Sequence, residues 1–179
     1  MKRVLNLFMV LVFASPLVFT SCGKDDGGDG PEQTKAEEFA PILEGTWTVD
    51  DSDQQKGVKI GGGFETKKFS DSNFQLIFSN TTKDGGNYKV TGEPNNVNSK
   101  MWGEGTWKFD NENAKIIVRN DDKVSMDLTL KPEGIRLGSD NTIVYTMTLV
   151  FTIPAADTQS RLSGVSGEEC IFHLKRPIN

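Results

Sequence analysis

Beyond the N-terminal segment, Cys170 and His173 are the side chains with the most direct capacity for nucleophilic or metal chemistry, and the chain offers them few collaborators. It has one histidine and two cysteines, the other being Cys22. A tetrahedral zinc site draws on a set of thiolates, imidazoles and carboxylates, which one histidine and one spare thiol do not assemble. No Gly-x-Ser-x-Gly elbow is available to bring a serine to His173. In "EECIFHLK", Cys170 alternates with Phe172 and Leu174, as a small buried hydrophobe would, and His173 shares the opposite face with Ile171 and Lys175. No catalytic residue, metal or cofactor is expected.

Two other stretches bear on ligand chemistry. The carboxylates of "DDSDQQ" (50–55) are hard oxygen ligands of the kind calcium takes. Ser52 and Gln54 stand where a calcium loop needs further acids and no glycine follows at its turn position, so a solvated loop is expected. "KIGGGFETKK" (59–68) has three successive glycines but no Gly-Lys-Ser/Thr and no expected helix after them, which suits an open connection better than a phosphate cradle.

Aromatic residues are the better ligand-binding candidates. Trp102, in the Asn- and Gly-rich stretch "NSKMWGEGTW", leads them, because a ring on a loop can stack on a sugar or anchor a partner at little entropic cost. Its alternative role is to cover one end of the fold. Trp107, Trp47 and Tyr88 complete the set.

The elements that must position these residues are strands. Apolar side chains recur with period two in "NFQLIFS" (Phe74, Leu76, Phe78), "NYKV" (Tyr88, Val90) and "VSMDLTL" (Val124, Met126, Leu128, Leu130). "TIVYTMTLVFTI" (142–153) is expected to be the longest, with Ile143, Tyr145, Met147, Leu149, Phe151 and Ile153 on one face. Turn chemistry separates the runs: "KDGGN" at 83, "DNENA" at 110, "NDDK" at 120, "KPEG" at 131 and "GSDN" at 138. From residue 104 onward, strand and turn alternate as in an antiparallel meander. No helix is expected beyond a turn at "KAEEFAPIL", where Pro41 limits extension. The expected fold is all-β, an antiparallel meander β-barrel, with a β-sandwich as the alternative.

Residues 1–21 have the basic start and short apolar run of a secretory signal. Residues 22–38 carry Gly, Asp, Lys, Glu and Gln, as a flexible tether does, and residues 39–179 suit one domain. The net charge is −5. Without Lys2 and Arg3 the remainder has 18 basic against 25 acidic side chains, or −7, and lacks the basic cluster that nucleic acid requires.

The stretch "VFTSC" resembles a bacterial lipobox, with Phe19 where many carry Leu. That resemblance implies cleavage before Cys22, acylation of Cys22 and membrane attachment through it. Lys24, Asp25 and Asp26 resemble the export signal of Bacteroidota surface lipoproteins, which implies an outer-membrane lipoprotein on the cell surface, periplasmic retention being the alternative. "EGTWTVD" (44–50) returns sixty positions later as "EGTWKFD" (104–110), and "LEGTWTV" is similar to the Gly-x-Trp opening of lipocalins. In that family the glycine permits close packing and the tryptophan closes one end of a barrel. Gly45 and Trp47 match it, and Gly105 with Trp107 is expected to repeat the device from a later strand. The implied protein is a lipocalin-like lipoprotein that binds a small apolar molecule, a glycan or an envelope protein. The alternatives are an accessory subunit with a packed barrel and, with least support, a hydrolase.

Overall fold

The computed structural model describes residues 32–95, 101–137, 142–152 and 167–178; Cys22, Lys24, Asp25 and Asp26 lie outside them. Among the described residues the period-two runs become strands: β1 (Gly45–Val49), β2 (Val58–Ile60), β3 (Gly63–Phe64), β4 (Gln75–Thr82), β5 (Gly85–Thr91), β6 (Glu104–Phe109), β7 (Ile116–Arg119), β8 (Ser125–Leu137), β9 (Thr142–Thr152) and β10 (Glu169–Pro177).

Eight of them form a closed antiparallel barrel in the order β1-β4-β5-β6-β7-β8-β9-β10. Closure comes from Thr48 and Val49 of β1, which pair with Lys175 and Leu174 of β10. A sandwich would leave these first and last strands as free edges, whereas a barrel has none. The fold is therefore a lipocalin-like barrel. β2 and β3 form a hairpin turning through Gly61 and Gly62, and β2 extends the sheet by pairing with Cys170–Phe172 of β10.

Both ends of the barrel are covered. α1 (Lys35–Leu43) starts from a capping box, in which Thr34 accepts from the Glu37 N–H and Glu37 accepts in return from the Thr34 N–H. It buries Ala36, Ala40 and Leu43 against the end at which β1 begins. The Ala36 N–H donates to Glu112 O and Thr81 Oγ1 donates to Ala40 O, tying the helix to the β6–β7 connection and to the end of β4. Pro41 sits in the last turn, and the helix stops two residues later. The folded unit thus begins at Gln33 and takes in the last positions of the expected tether, because the capping signal lies upstream of the first large apolar residue.

A second helix, α2 (Thr66–Asp71), follows the glycine run and corrects the expectation of an open connection there. It is too short to show a period, and Phe69 is its one large buried side chain. Phe69 plugs the other end of the barrel, its ring centroid 5.2 Å from both Phe74 and Phe172.

"KPEG" is also corrected. It lies inside β8 as an irregularity between Lys131, opposite Thr146, and Ile135, opposite Val144, so three residues face one on β9. Pro is compatible with such a bulge because no ladder N–H is needed there. On β9, Met147, Leu149 and Phe151 lie in the core as expected and half-buried Tyr145 packs against it, whereas Ile143 is exposed and Val144 is buried outside the core cluster.

Candidate ligand-binding rim

The two "EGTW" copies start β1 and β6 and bury both tryptophans, Trp47 and Trp107. Their surroundings differ. Trp47 Nε1 donates to Leu43 O at 2.8 Å, and the Arg176 guanidinium lies 5.5 Å from its ring while donating to Ile42 O. Gly45, at φ +118°, leaves the room through which Arg176 passes, since a Cβ there would stand 3.2 Å from Arg176 Nη1. Trp107 instead packs edge-on against Phe78 and Phe109, at 5.5 and 4.9 Å. Gly105 makes room for Asp121 and the Tyr88 ring. Tyr88 OH donates to Asp121 Oδ1 at 2.8 Å, and burial raises its phenol well above the ordinary range.

Trp102 belongs to the interior and not to an open loop. It is 2% exposed, with ring centroids 5.2 Å from Phe172, 5.4 Å from Phe151 and 6.1 Å from Phe74. Its backbone N–H donates to Glu93 Oε1 at 3.0 Å. Over the ring, at 5.1 Å, lies the guanidinium of Arg119, which is fully buried. Arg119 donates from Nε and Nη2 to the two carboxylate oxygens of Asp122, at 3.1 and 2.5 Å, and from Nη1 to Met101 O. A bidentate carboxylate, a carbonyl and two aromatic faces thus replace the water this cation gives up. Sequence reasoning passed over Arg119, although "KIIVRN" places it two residues from Ile117 on the same strand face.

The remaining chemically capable residues are occupied structurally. Cys170 is buried, its Sγ 3.7 Å from Met101 Sδ, and burial pushes its thiol up to about 12. His173 faces away from the core, with Nδ1 2.8 Å from Thr148 Oγ1, and burial lowers its pKa. In the acidic loop, Asp50 accepts from Ser52 N and Oγ, Asp53 accepts from Gln55 N and pairs with Lys56, and Asp51 pairs with Lys175. No group of three metal-ligating side chains gathers among the described residues.

Two hollows lie at the end remote from α1. One, of about 180 Å³, is lined by residues of β1, α2, β4 and β10, including Thr48, Ser70, Asn73, Gln75 and Lys175, together with Asp51. The other, of about 360 Å³, lies where β5 gives way to β6 and is lined by Val90–Glu93 and Trp102–Glu104. Gln75 of the first and Thr91 of the second are register partners on β4 and β5. Of the lining of the first hollow only Asp51 stood out in the sequence as a possible ligand group, because the hollow is assembled by β1–β10 closure between segments more than 120 positions apart.

Architecture and rim together define a closed eight-stranded barrel with a filled interior and polar hollows on its outside. No protein-family model matches the chain, and neither the curated proteins nor the solved structures contain a significant match.

Proposed function

We propose that the protein is a lipid-anchored, non-catalytic module of the bacterial envelope, acylated at Cys22, that engages its ligand or partner on the rim of the barrel. The observation that carries this reading is the occupancy of the interior. Trp47, Trp102, Trp107, Phe69, Phe74, Phe78 and Phe172 are all at most 2% exposed, and α1 and α2 cover the two ends. A barrel of this strand number has an interior that side chains can just fill. Carriage of a small apolar molecule inside it would require Trp102 or Phe69 to leave ring contacts with Phe172 at 5.2 Å.

The lipobox-like "VFTSC" supports attachment, and Lys24, Asp25 and Asp26 support outer-membrane placement on the cell surface. More than one acyl chain on Cys22 would hold the protein firmly, since a single chain binds only marginally. Intact mass measurement of protein extracted from membranes tests the anchor: the expected chain starts at Cys22 with acyl mass, and any other start contradicts it. A thermal-shift screen of the full lipoprotein against glycans and lipids tests binding. Stabilisation by a hydrophilic ligand supports rim binding, and stabilisation by apolar molecules alone contradicts it.

A further inference from the structure

We propose that the α1 end of the barrel rests on the bilayer that holds the acyl chains of Cys22, with Ile143 and Ile178 as its contact surface. The proposal depends on acylation of Cys22. Among the described residues three large apolar side chains are exposed, Phe64 at 57%, Ile143 at 42% and Ile178 at 39%. Two of the three adjoin. The Ile178 N–H donates to Ile143 O at 3.2 Å, and both side chains close over Gly134, where a Cβ would overlap Ile178 Cδ1 and Ile143 Cγ2.

The strand pairing places this pair at one end. β10 closes onto β1 as far as Lys175, opposite Thr48, whereas β9 pairs with β10 as far as Pro177 and with β8 as far as Leu137. The three strands therefore run on past the closed barrel, and Arg176 of this extension donates to Ile42 O in the last turn of α1. Half-buried Ile135 and Leu137 add apolar surface on β8. Residues 131–137 carry Lys131 and Arg136, both exposed, against one acid, Glu133, a balance that suits phosphate headgroups.

Chain length selects the occupant. The folded unit begins at Gln33, 11 positions after Cys22, and enters α1 at once. A chain of that length spans at most about 40 Å, however it is arranged. β9, with 11 residues, is about 36 Å long and rises roughly 27 Å along a barrel axis to which strands tilt. A tether joined at the α1 end would spend about two thirds of its full reach passing along the wall before the opposite end could touch the lipid. The α1 end meets it without that stretch. Two isoleucines would not hold a protein on a membrane unaided, but beside an acyl anchor the contact is intramolecular and a weak surface suffices. They supply only a small part of the roughly 800 Å² per partner that a stable dimer buries. In this orientation the rim with the two polar hollows, at the end remote from α1, faces away from the membrane.

The test uses the full-length acylated protein in vesicles of phosphatidylethanolamine and phosphatidylglycerol containing a nitroxide lipid. A bimane label is placed at Ile178→Cys or, at the opposite end, at Phe64→Cys. Quenching at position 178 is expected to be at least threefold that at position 64. Adding Ile143→Asp, which alters an exposed side chain, should halve the quenching at 178 with the melting temperature unchanged, and Ile143→Ser gives the same sign should the aspartate disrupt the hairpin. Equal quenching at the two ends, or no response to either substitution at position 143, overturns the docking face while vesicle flotation of the protein leaves the anchor standing. Self-quenching of the label at 178 that rises with protein concentration in the absence of nitroxide lipid assigns the surface to a second copy and overturns it too. Protein that fails to float with the vesicles overturns the anchor itself, and the docking face with it.

Discussion

The Arg119 guanidinium stacks on Trp102 at 5.1 Å and holds the backbone beside it, donating to Met101 O at 3.0 Å, so that one buried cation fixes both the ring and the strand approach it sits on. This pair converts a segment that looks like a binding loop into part of the barrel core. If Trp102 were a surface anchor, its truncation would change stability by less than about 0.5 kcal/mol. As core, Trp102→Ala should cost about 3–5 kcal/mol. Arg119→Ala, which empties a fully buried site and removes the bidentate pairing with Asp122, should cost a similar about 3–5 kcal/mol, and Arg119→Lys should not restore the loss because an ammonium cannot pair bidentately. Urea denaturation of the three variants measures this.

The two glycines of the repeated motif should behave differently. Gly45 has φ +118° and lies against Arg176, so Gly45→Ala combines backbone strain with displacement of that side chain. A cost of about 2 kcal/mol is expected. At Gly105 the backbone is unstrained, and a Cβ would meet Asp121 and Tyr88 at 3.2–3.3 Å, so Gly105→Ala should cost less, about 1 kcal/mol. Equal losses in thermal denaturation would contradict the distinction.

His173 gives stability a pH dependence of defined sign. Burial lowers its folded pKa below the ordinary 6.5, with Lys56 adding to the effect and Asp50 opposing it. The unfolded chain therefore takes up the proton more readily. The contribution is present in full above about pH 6.5 and is lost as pH falls through the lower folded value. Melting temperatures recorded from pH 8 to 5 should decline over this window in the wild type and less in His173→Gln. The carboxylates of Glu44 and Asp51, held low by a Thr81 backbone N–H and by Lys175, add a separate decline below about pH 4.5.

Cys170 should be inert while the protein is folded. Its thiol is buried and its pKa is pushed up to about 12, so little thiolate forms at pH 8. In a Cys22→Ser background, iodoacetamide should leave the native protein unmodified and alkylate it fully in denaturant. Rapid native labelling would show that the surrounding core opens.

Much of the barrel was legible in the sequence because alternation is a local property. Phe74 to Phe78, Val124 to Leu130 and Met147 to Phe151 each carry their buried face in their own spacing. α1 was understated because its signal is a cap, Thr34 with Glu37, placed before the apolar residues. α2 and the "KPEG" bulge were illegible because one rests on tertiary contacts of Phe69 and Thr66 and the other on a register shift, and neither has a period. Between the two roles open to Trp102, loop-borne ligand contact or cover for one end of the fold, its Gly- and Asn-rich flanks could not choose, because its burial depends on Arg119 and Phe172 from distant strands. The outer hollow was illegible, since Asp51, Gln75 and Lys175 meet only when β10 returns to β1.

The most direct test of the central claim, that the barrel is filled by its own side chains, is titration of the full-length protein in a non-fluorescent detergent below its critical micelle concentration with N-phenyl-1-naphthylamine. Probe fluorescence and quenching of the buried tryptophans are followed together. The wild type is expected to show no saturable one-to-one site, and Trp102→Ala, if folded, to gain one. Stoichiometric binding to the wild type with tryptophan quenching would contradict the account.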